Sequence, residues 1–111
     1  MKAVPRRLLE YVAQDGRVPF REWLEGLRDV EGRARVRVRL NRLRLGNFGD
    51  VKAVGKGVSE LRVSFGAGYR VYFARIPDAL VLLLCGGDKS SQKRDIRLAK
   101  DYWRDFQRRS T

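Results

Sequence analysis

Histidine is absent from the 111 residues, and cysteine and methionine occur once each. Without histidine the chain lacks the usual general base at neutral pH and the usual metal ligand, and no Ser-His or Cys-His nucleophile can be assembled. A single cysteine, Cys85, excludes an internal disulfide and a thiolate cluster. It closes the apolar run ALVLLLC and reads as a small core residue. That run is far shorter than the about 20 residues a membrane helix needs. The N-terminal MKAVPRRLLEYVAQDG has no apolar stretch of the secretory kind, so a cytoplasmic protein with no membrane contact is expected. Acidic residues are scarce too: 13 Asp+Glu face 25 Lys+Arg, for a net charge of +12 and a pI near 10.8. Such an excess points to a polyanionic partner, because each neutralised phosphate releases counterions. The basic residues are spread along the whole chain rather than gathered on an amphipathic anchor, which favours nucleic acid over an anionic membrane.

What is present describes one folded domain, residues 1–111, without repeats, linkers or low-complexity stretches. Residues 4–13, with LLEYV, predict a first strand ending at Asp15-Gly16. PFREWLEGL then places Phe20, Trp23, Leu24 and Leu27 at helical spacing behind Pro19, a residue suited to a first helical turn. Residues 33–45, RARVRVRLNRLRL, mix a strand-like alternation with a helical stripe of Val36, Leu40 and Leu43. Their length without a breaker, and Gly46 where a C-terminal cap belongs, predict a helix. GNFGDVKAVGKG reads as an irregular loop carrying Lys52 and Lys56. VSELRVSF and YRVYFARI form a hairpin around Gly66-Ala67-Gly68, and ALVLLLC a central strand covered on both faces. A last helix begins at Ser90 or Ser91 and sets Ile96, Ala99, Trp103 and Phe106 on one stripe. The expected class is α+β, in the order β-α-α-β-β-β-α, with a small, mainly antiparallel sheet flanked by helices.

Two stretches bear on chemistry. CGGDKSS, residues 85–91, resembles the end of a phosphate-binding loop, but Asp88 between Gly87 and Lys89 would oppose a nucleotide's charge and the spacing G-x-x-x-x-G-K-[ST] is not met. The glycines are instead expected to turn the chain out of the strand. In the hairpin, pairing Phe65 with Tyr69 sets Ser64 opposite Arg70 and Arg62 opposite Tyr72. Leu61, Val63, Phe65, Val71 and Phe73 then share the core face, and Glu60, Arg62, Ser64, Arg70 and Tyr72 the other. Two guanidiniums side by side repel unless an anion lies between them. Arginine grips phosphate in bidentate fashion, and a neighbouring tyrosine can stack on a base. Asp50, Asp88 and Asp95 are spread over loops and a helix start and read as turn and cap residues rather than metal ligands.

The run GNFGDVKAVGKGVSELRVSFGAGYRVYF, followed by LLLCGGDKSSQKRDIRLAKDYW, resembles the addiction-module killer proteins, HigB-like toxins of the RelE/ParE superfamily of type II toxin–antitoxin systems. The likeness runs from Phe20 to Trp103. It implies the RelE-like fold and a ribosome-dependent mRNA endoribonuclease that arrests translation, with the 2′-hydroxyl as nucleophile. Carried over by motif, Arg62, Arg70 and Lys89 clamp the scissile phosphate. Glu60, Tyr72 or Lys89 would supply the acid and base, since arginine is a poor proton shuttle. Lys52, Lys56, Ser64 and Lys93 are the further expected RNA contacts, Ser64 standing where a second lysine of RelE would fall. The scheme calls for no metal and no small-molecule cofactor. Its partners are the ribosome, mRNA and an antitoxin, in relatives usually a small helix-turn-helix protein of the HigA kind. A ParE-like inhibitor of DNA gyrase without nuclease activity, or a basic RNA-binding domain, would carry the same surface.

Overall fold

A computed structural model describes residues 3–110 of the chain. The described elements are β1 (Arg7–Glu10), α1 (Pro19–Gly26), α2 (Val30–Arg44), β2 (Val51–Gly55), β3 (Val58–Val63), β4 (Tyr69–Ile76), β5 (Leu80–Gly87), a 3-10 turn (Lys89–Ser91) and α3 (Gln92–Arg109). The α+β class stands as expected, with one strand more than the sequence patterns disclosed. The segment expected as an irregular loop contains β2, which pairs antiparallel with β3 and carries Lys52. Only Val51 and Val54 of β2 are even half-buried, because β2 is an edge strand; its glycine-rich flanks and weak alternation hide it.

The strands lie in the order β1-β5-β4-β3-β2, so β4 rather than β5 holds the middle of the sheet. β1 joins β5 in parallel, and the other pairings are antiparallel. Val81 to Cys85 of β5 are all buried, as a strand covered on both faces requires. One sheet face holds Leu61, Val63, Val71, Phe73, Val81 and Leu83 against Phe20 and Leu24 of α1 and Val36, Leu40 and Leu43 of α2. The opposite face packs Val58, Tyr72, Ala74, Leu82 and Leu84 against Ala99, Ile96, Trp103 and Phe106 of α3. Cys85 belongs to that second cluster as a free, buried thiol, which burial pushes up to about 12.

Helix ends follow local chemistry. The Asp29 carboxylate caps α2 by accepting from the Gly32 amide at 2.9 Å, and its other oxygen accepts from the Tyr69 hydroxyl at 2.6 Å, pinning the helix start to the base of the hairpin. Gly46, at φ +89°, follows the α2 C-cap as the left-handed residue expected there. Ser91 is the N-cap residue of α3, as expected, but its side chain makes no capping bond to that helix. Asp88 accepts from the Ser90 amide at 2.8 Å and Ser91 reciprocates to the Asp88 amide at 3.3 Å, a capping box one turn earlier.

Gly86 and Gly87 do not turn the chain, as had been expected of them; they are the last two residues of β5. A Cβ on Gly86 would lie 2.1 Å from the Trp23 ring of α1, and one on Gly87 1.8 Å from the Asp95 carboxylate of α3. The missing side chains therefore let a helix close onto each face at the same end of one strand. Gly87→Ala is expected to lower the urea midpoint by the equivalent of about 1–3 kcal/mol through overpacking. Gly26→Ala, where the added carbon meets nothing within 4 Å, should be neutral or stabilising.

Candidate functional site

The β3–β4 hairpin differs from its expected register by two residues. Val63 pairs with Tyr69, Arg62 with Arg70, Leu61 with Val71 and Glu60 with Tyr72, leaving a five-residue connection, 64–68, in place of three. Gly66 and Gly68 adopt positive φ of 54° and 76°, and the Phe65 carbonyl accepts from the Gly68 amide at 3.0 Å. A shift of two keeps every side chain on its face, so the apolar/polar division survives while the partners change. Arg62, expected opposite Tyr72, instead stands directly across from Arg70.

Those two guanidiniums diverge. Arg62 reaches outward to Asp50, Nη2 to Oδ1 at 2.8 Å, and that carboxylate raises its pKa. Arg70 folds the other way, donating from Nη1 to the Gly68 carbonyl at 2.6 Å. Its Nε lies 3.6 Å from Glu60 Oε2, close enough for attraction between the charges but too long for a hydrogen bond, so Nε is buried without an acceptor. Two carboxylates on opposite sides thus relieve the repulsion that a cross-strand arginine pair creates.

The polar face is not an open surface throughout. Glu60 and Tyr72 are both 0% exposed, because α3 lies over that end of the sheet. The Tyr72 hydroxyl donates to Glu60 Oε2 at 3.0 Å, and Gln92 Nε2 at the start of α3 donates to the same oxygen at 2.9 Å. Burial first, then the hydrogen bond to Glu60 and that carboxylate's charge, push the Tyr72 phenol far above the ordinary range. The expectation that Tyr72 would stack on a base and Glu60 face solvent is corrected: the apolar stripe of α3 needs a surface to bury on, and takes theirs. Alternation along the strand cannot reveal that a helix from the far end of the chain covers half of a polar face.

The open part lies at the turn. Asp50, Arg62, Ser64, Gly68 and Arg70 line a shallow cavity of about 320 Å³ there. Lys89 borders it: its amide donates to the Ala67 carbonyl at 3.2 Å, and a Cβ on Gly68 would lie 3.5 Å from Lys89 Cβ and 3.1 Å from Arg70 Nη1. Arg62, Ser64, Arg70 and Lys89 are therefore brought together, with Glu60 and Tyr72 buried behind them. Lys93, exposed on α3, shares a second cavity with Lys89. Lys52 is exposed on β2 opposite Glu60, and Lys56 sits at the tip of the β2–β3 turn against α3, away from the arginine pair. Residue patterns alone did not disclose Asp50 as the Arg62 partner or Gln92 as the Glu60 partner, for neither pairing has a sequence signal. Among the described residues no group of three His, Cys, Asp or Glu side chains could hold a metal ion. None of their helices is long and apolar enough to cross a membrane.

All four tyrosines are held protonated. Tyr11 rises to about 12 through burial and the hydrogen bond it gives Asp105, Tyr69 to about 12 chiefly through its bond to Asp29, and Tyr72 and Tyr102 rise mainly through burial. A phenol whose folded pKa lies above its unfolded value of about 10 contributes stability that is intact below about pH 10 and lost as pH rises through the folded value. The native protein should show almost no tyrosinate absorbance near pH 10, where the urea-unfolded chain is about half ionised. Tyrosinate should appear together with unfolding toward about pH 12; four freely titrating phenols in the native state would contradict this. Glu60→Ala should destabilise by roughly 3–5 kcal/mol by stripping a buried charge of its partner, and Glu60→Gln by less, measured by urea unfolding.

Residues 22–104 match the family described as phage-derived protein Gp49-like (DUF891). An uncharacterized protein of Haemophilus influenzae is 49% identical over 81 residues, which cover 73% of this chain and 82% of that protein. The family match spans α1 to α3 and includes Arg62, Arg70 and Lys89. The chain belongs to the phage-derived Gp49-like family.

Proposed function

We propose that the protein is the toxin of a toxin–antitoxin system and acts as a ribosome-dependent endoribonuclease on mRNA, held inactive by its antitoxin. The Gp49-like family is of the RelE-like toxin type, which supports the first part of the reading. The observation that carries the second is the Arg62–Arg70 cross-strand pair with Lys89 at its border, on the open end of a sheet face. A phosphodiester seated in that cavity meets Arg62 and Arg70 from adjacent strands. The 2′-hydroxyl gives its proton to solvent water as its oxygen attacks the neighbouring phosphorus and the bond to the 5′-oxygen breaks, leaving a 2′,3′-cyclic phosphate and a 5′-hydroxyl. Charge accumulates on the non-bridging oxygens in that step, and the guanidiniums act there. The Lys89 ammonium, exposed beside them, is the group able to give a proton to the departing 5′-oxygen. Glu60 and Tyr72, being buried, do not touch RNA; they hold Arg70 in place and are positioning residues. Ser64 lines the cavity, Lys93 lines the neighbouring one with Lys89, and Lys52 adds positive charge on the edge strand β2.

Mapping mRNA 5′ ends in a translating extract tests the nuclease. New ends should accumulate with the protein and vanish when the antitoxin is added, and intact messages at toxin excess would sink the reading. Arg70→Ala should lower cleavage by roughly 10²–10³-fold, the loss typical of one transition-state donor, with the far-ultraviolet spectrum unchanged.

The burial of Glu60 and Tyr72 favours one second reading, a toxin that inhibits DNA gyrase by binding without nuclease chemistry. A supercoiling assay separates the two, since gyrase unaffected by saturating protein removes it.

A further inference from the structure

The outer side of α3 carries a row of cations that the arginine pair at the hairpin does not use. Lys93, Arg97, Lys100 and Arg104 follow one another at intervals of four, three and four residues, on the side of the helix away from the buried Ala99 and the partly buried Phe106. Lys93, Arg97 and Lys100 have no hydrogen-bond or ion-pair partner among the described residues. Arg17, Arg21, Arg35 and Arg62, by contrast, are each paired with a carboxylate, Glu22, Glu10, Glu31 and Asp50 in turn. Like charges four residues apart destabilise a helix, so an uncompensated row works against the fold unless a polyanion meets it.

A second strand of the structure adds to that row. The β2–β3 turn, Gly55-Lys56-Gly57, has three successive positive φ values of 100°, 57° and 84°, the middle one on a residue that rarely adopts it. This conformation brings Lys56 to the α3 cations rather than away from them. Lys56, Arg97, Lys100, Arg104 and the Trp103 ring line a cavity of about 420 Å³ whose one carboxylate, Asp101, is taken by Arg104 at 2.5 Å. Close approach at this point depends on glycine: a Cβ on Gly57 would lie 2.9 Å from Trp103 Nε1, and one on Gly55 3.3 Å from Lys100 Nζ. Arg97 also lines the neighbouring cavity with Lys89 and Lys93, so the two cavities adjoin at Arg97, and Lys89 borders the arginine pair.

We propose that this ridge is a second RNA site, a track for the phosphate backbone that runs from Lys89 along α3 to Lys56, with Trp103 as a surface on which a base or ribose can rest. From Lys93 to Arg104 the helix rises about 16 Å, enough for several phosphates in a row. The cations contact backbone and carry no base-edge readout, so the track holds RNA without regard to sequence and directs the segment beyond it toward Arg62 and Arg70. The inference rests on an RNA partner for this protein but not on cleavage. A protein that binds RNA through α3 yet leaves messages intact would uphold it while removing the nuclease reading.

The test is fluorescence anisotropy of the whole chain with a labelled single-stranded RNA and with a labelled RNA hairpin, titrated from about 50 to about 200 mM salt. K93Q/R97Q/K100Q should weaken binding and reduce the slope of log affinity against log salt by about 2, since each single-strand phosphate contact accounts for about 0.7. The charge-preserving K93R/R97K/K100R should bind as the parent does, and R70A should change the slope by no more than one contact. The RNA form that loses more affinity in the glutamine variant identifies whether the track takes a single strand or a duplex. An unchanged salt slope in the glutamine variant, with its folding verified by circular dichroism, would overturn the proposal. So would loss of antitoxin binding with RNA binding intact, which would assign the ridge to an acidic protein partner.

Discussion

Glu60 is a carboxylate with no exposure, seated where β3, β4 and the start of α3 meet, and the arrangement of the candidate site follows from its need for partners. One oxygen accepts from Tyr72 and Gln92 and attracts Arg70. A charge buried this way is tolerable only when surrounded by donors and an opposite charge. Those groups come from β4 and α3 while Glu60 itself is on β3, so the hairpin register, the position of α3 and the direction of the Arg70 side chain are set together. Arg70 bends toward Glu60 and Gly68, Arg62 bends toward Asp50, and the gap between them opens at the turn. Glu60 Oε1 and Arg70 Nε have no hydrogen-bond partner, so this centre is not fully satisfied within the described chain.

Glycine does similar work on the neighbouring strand, where Gly87 pairs with Arg70. Gly86 makes room for the Trp23 ring and Gly87 for the Asp95 carboxylate, which itself accepts from Ser91 at 2.5 Å. The two helical layers therefore close onto β5 at the point where the chain leaves it, and the 3-10 turn that follows carries Lys89 to the hairpin. CGGDKSS, which resembles a phosphate loop in outline, has its Asp88 carboxylate on the Ser90 amide and hydroxyl. Its lysine lies beside Gly68 at the hairpin turn and lines a cavity with Lys93 and Arg97.

Charge is distributed unevenly over this frame. On α1 and α2 arginines mostly find carboxylates or carbonyls; Arg39, for example, donates to the Arg62 and Phe48 carbonyls at 2.5 and 3.1 Å and braces the strand beneath it. On α3 the lysines face outward without acids. The net charge of +12 is thus partly structural glue and partly an unpaired surface, and only the unpaired part is available to a polyanion.

The amino-acid sequence by itself determined the class of the fold, α1, α2 and α3, the hairpin, and the division of β3 and β4 into apolar and polar faces. These depend on periods of 3.6 and 2 residues, which are local and survive a register shift of two. It also put Arg62, Arg70 and Lys89 forward, through motif resemblance and the chemistry of phosphate. Tertiary structure alone decided that Arg62 stands across from Arg70, that β2 forms on the edge of β3, and that Glu60 and Tyr72 are roofed over by α3. The first two are pairings between strands adjacent in the chain and the third is a contact with a distant helix, and they were chosen by where an apolar helical stripe could bury itself and by which partners a buried carboxylate could gather. No pattern within a single segment records such a choice.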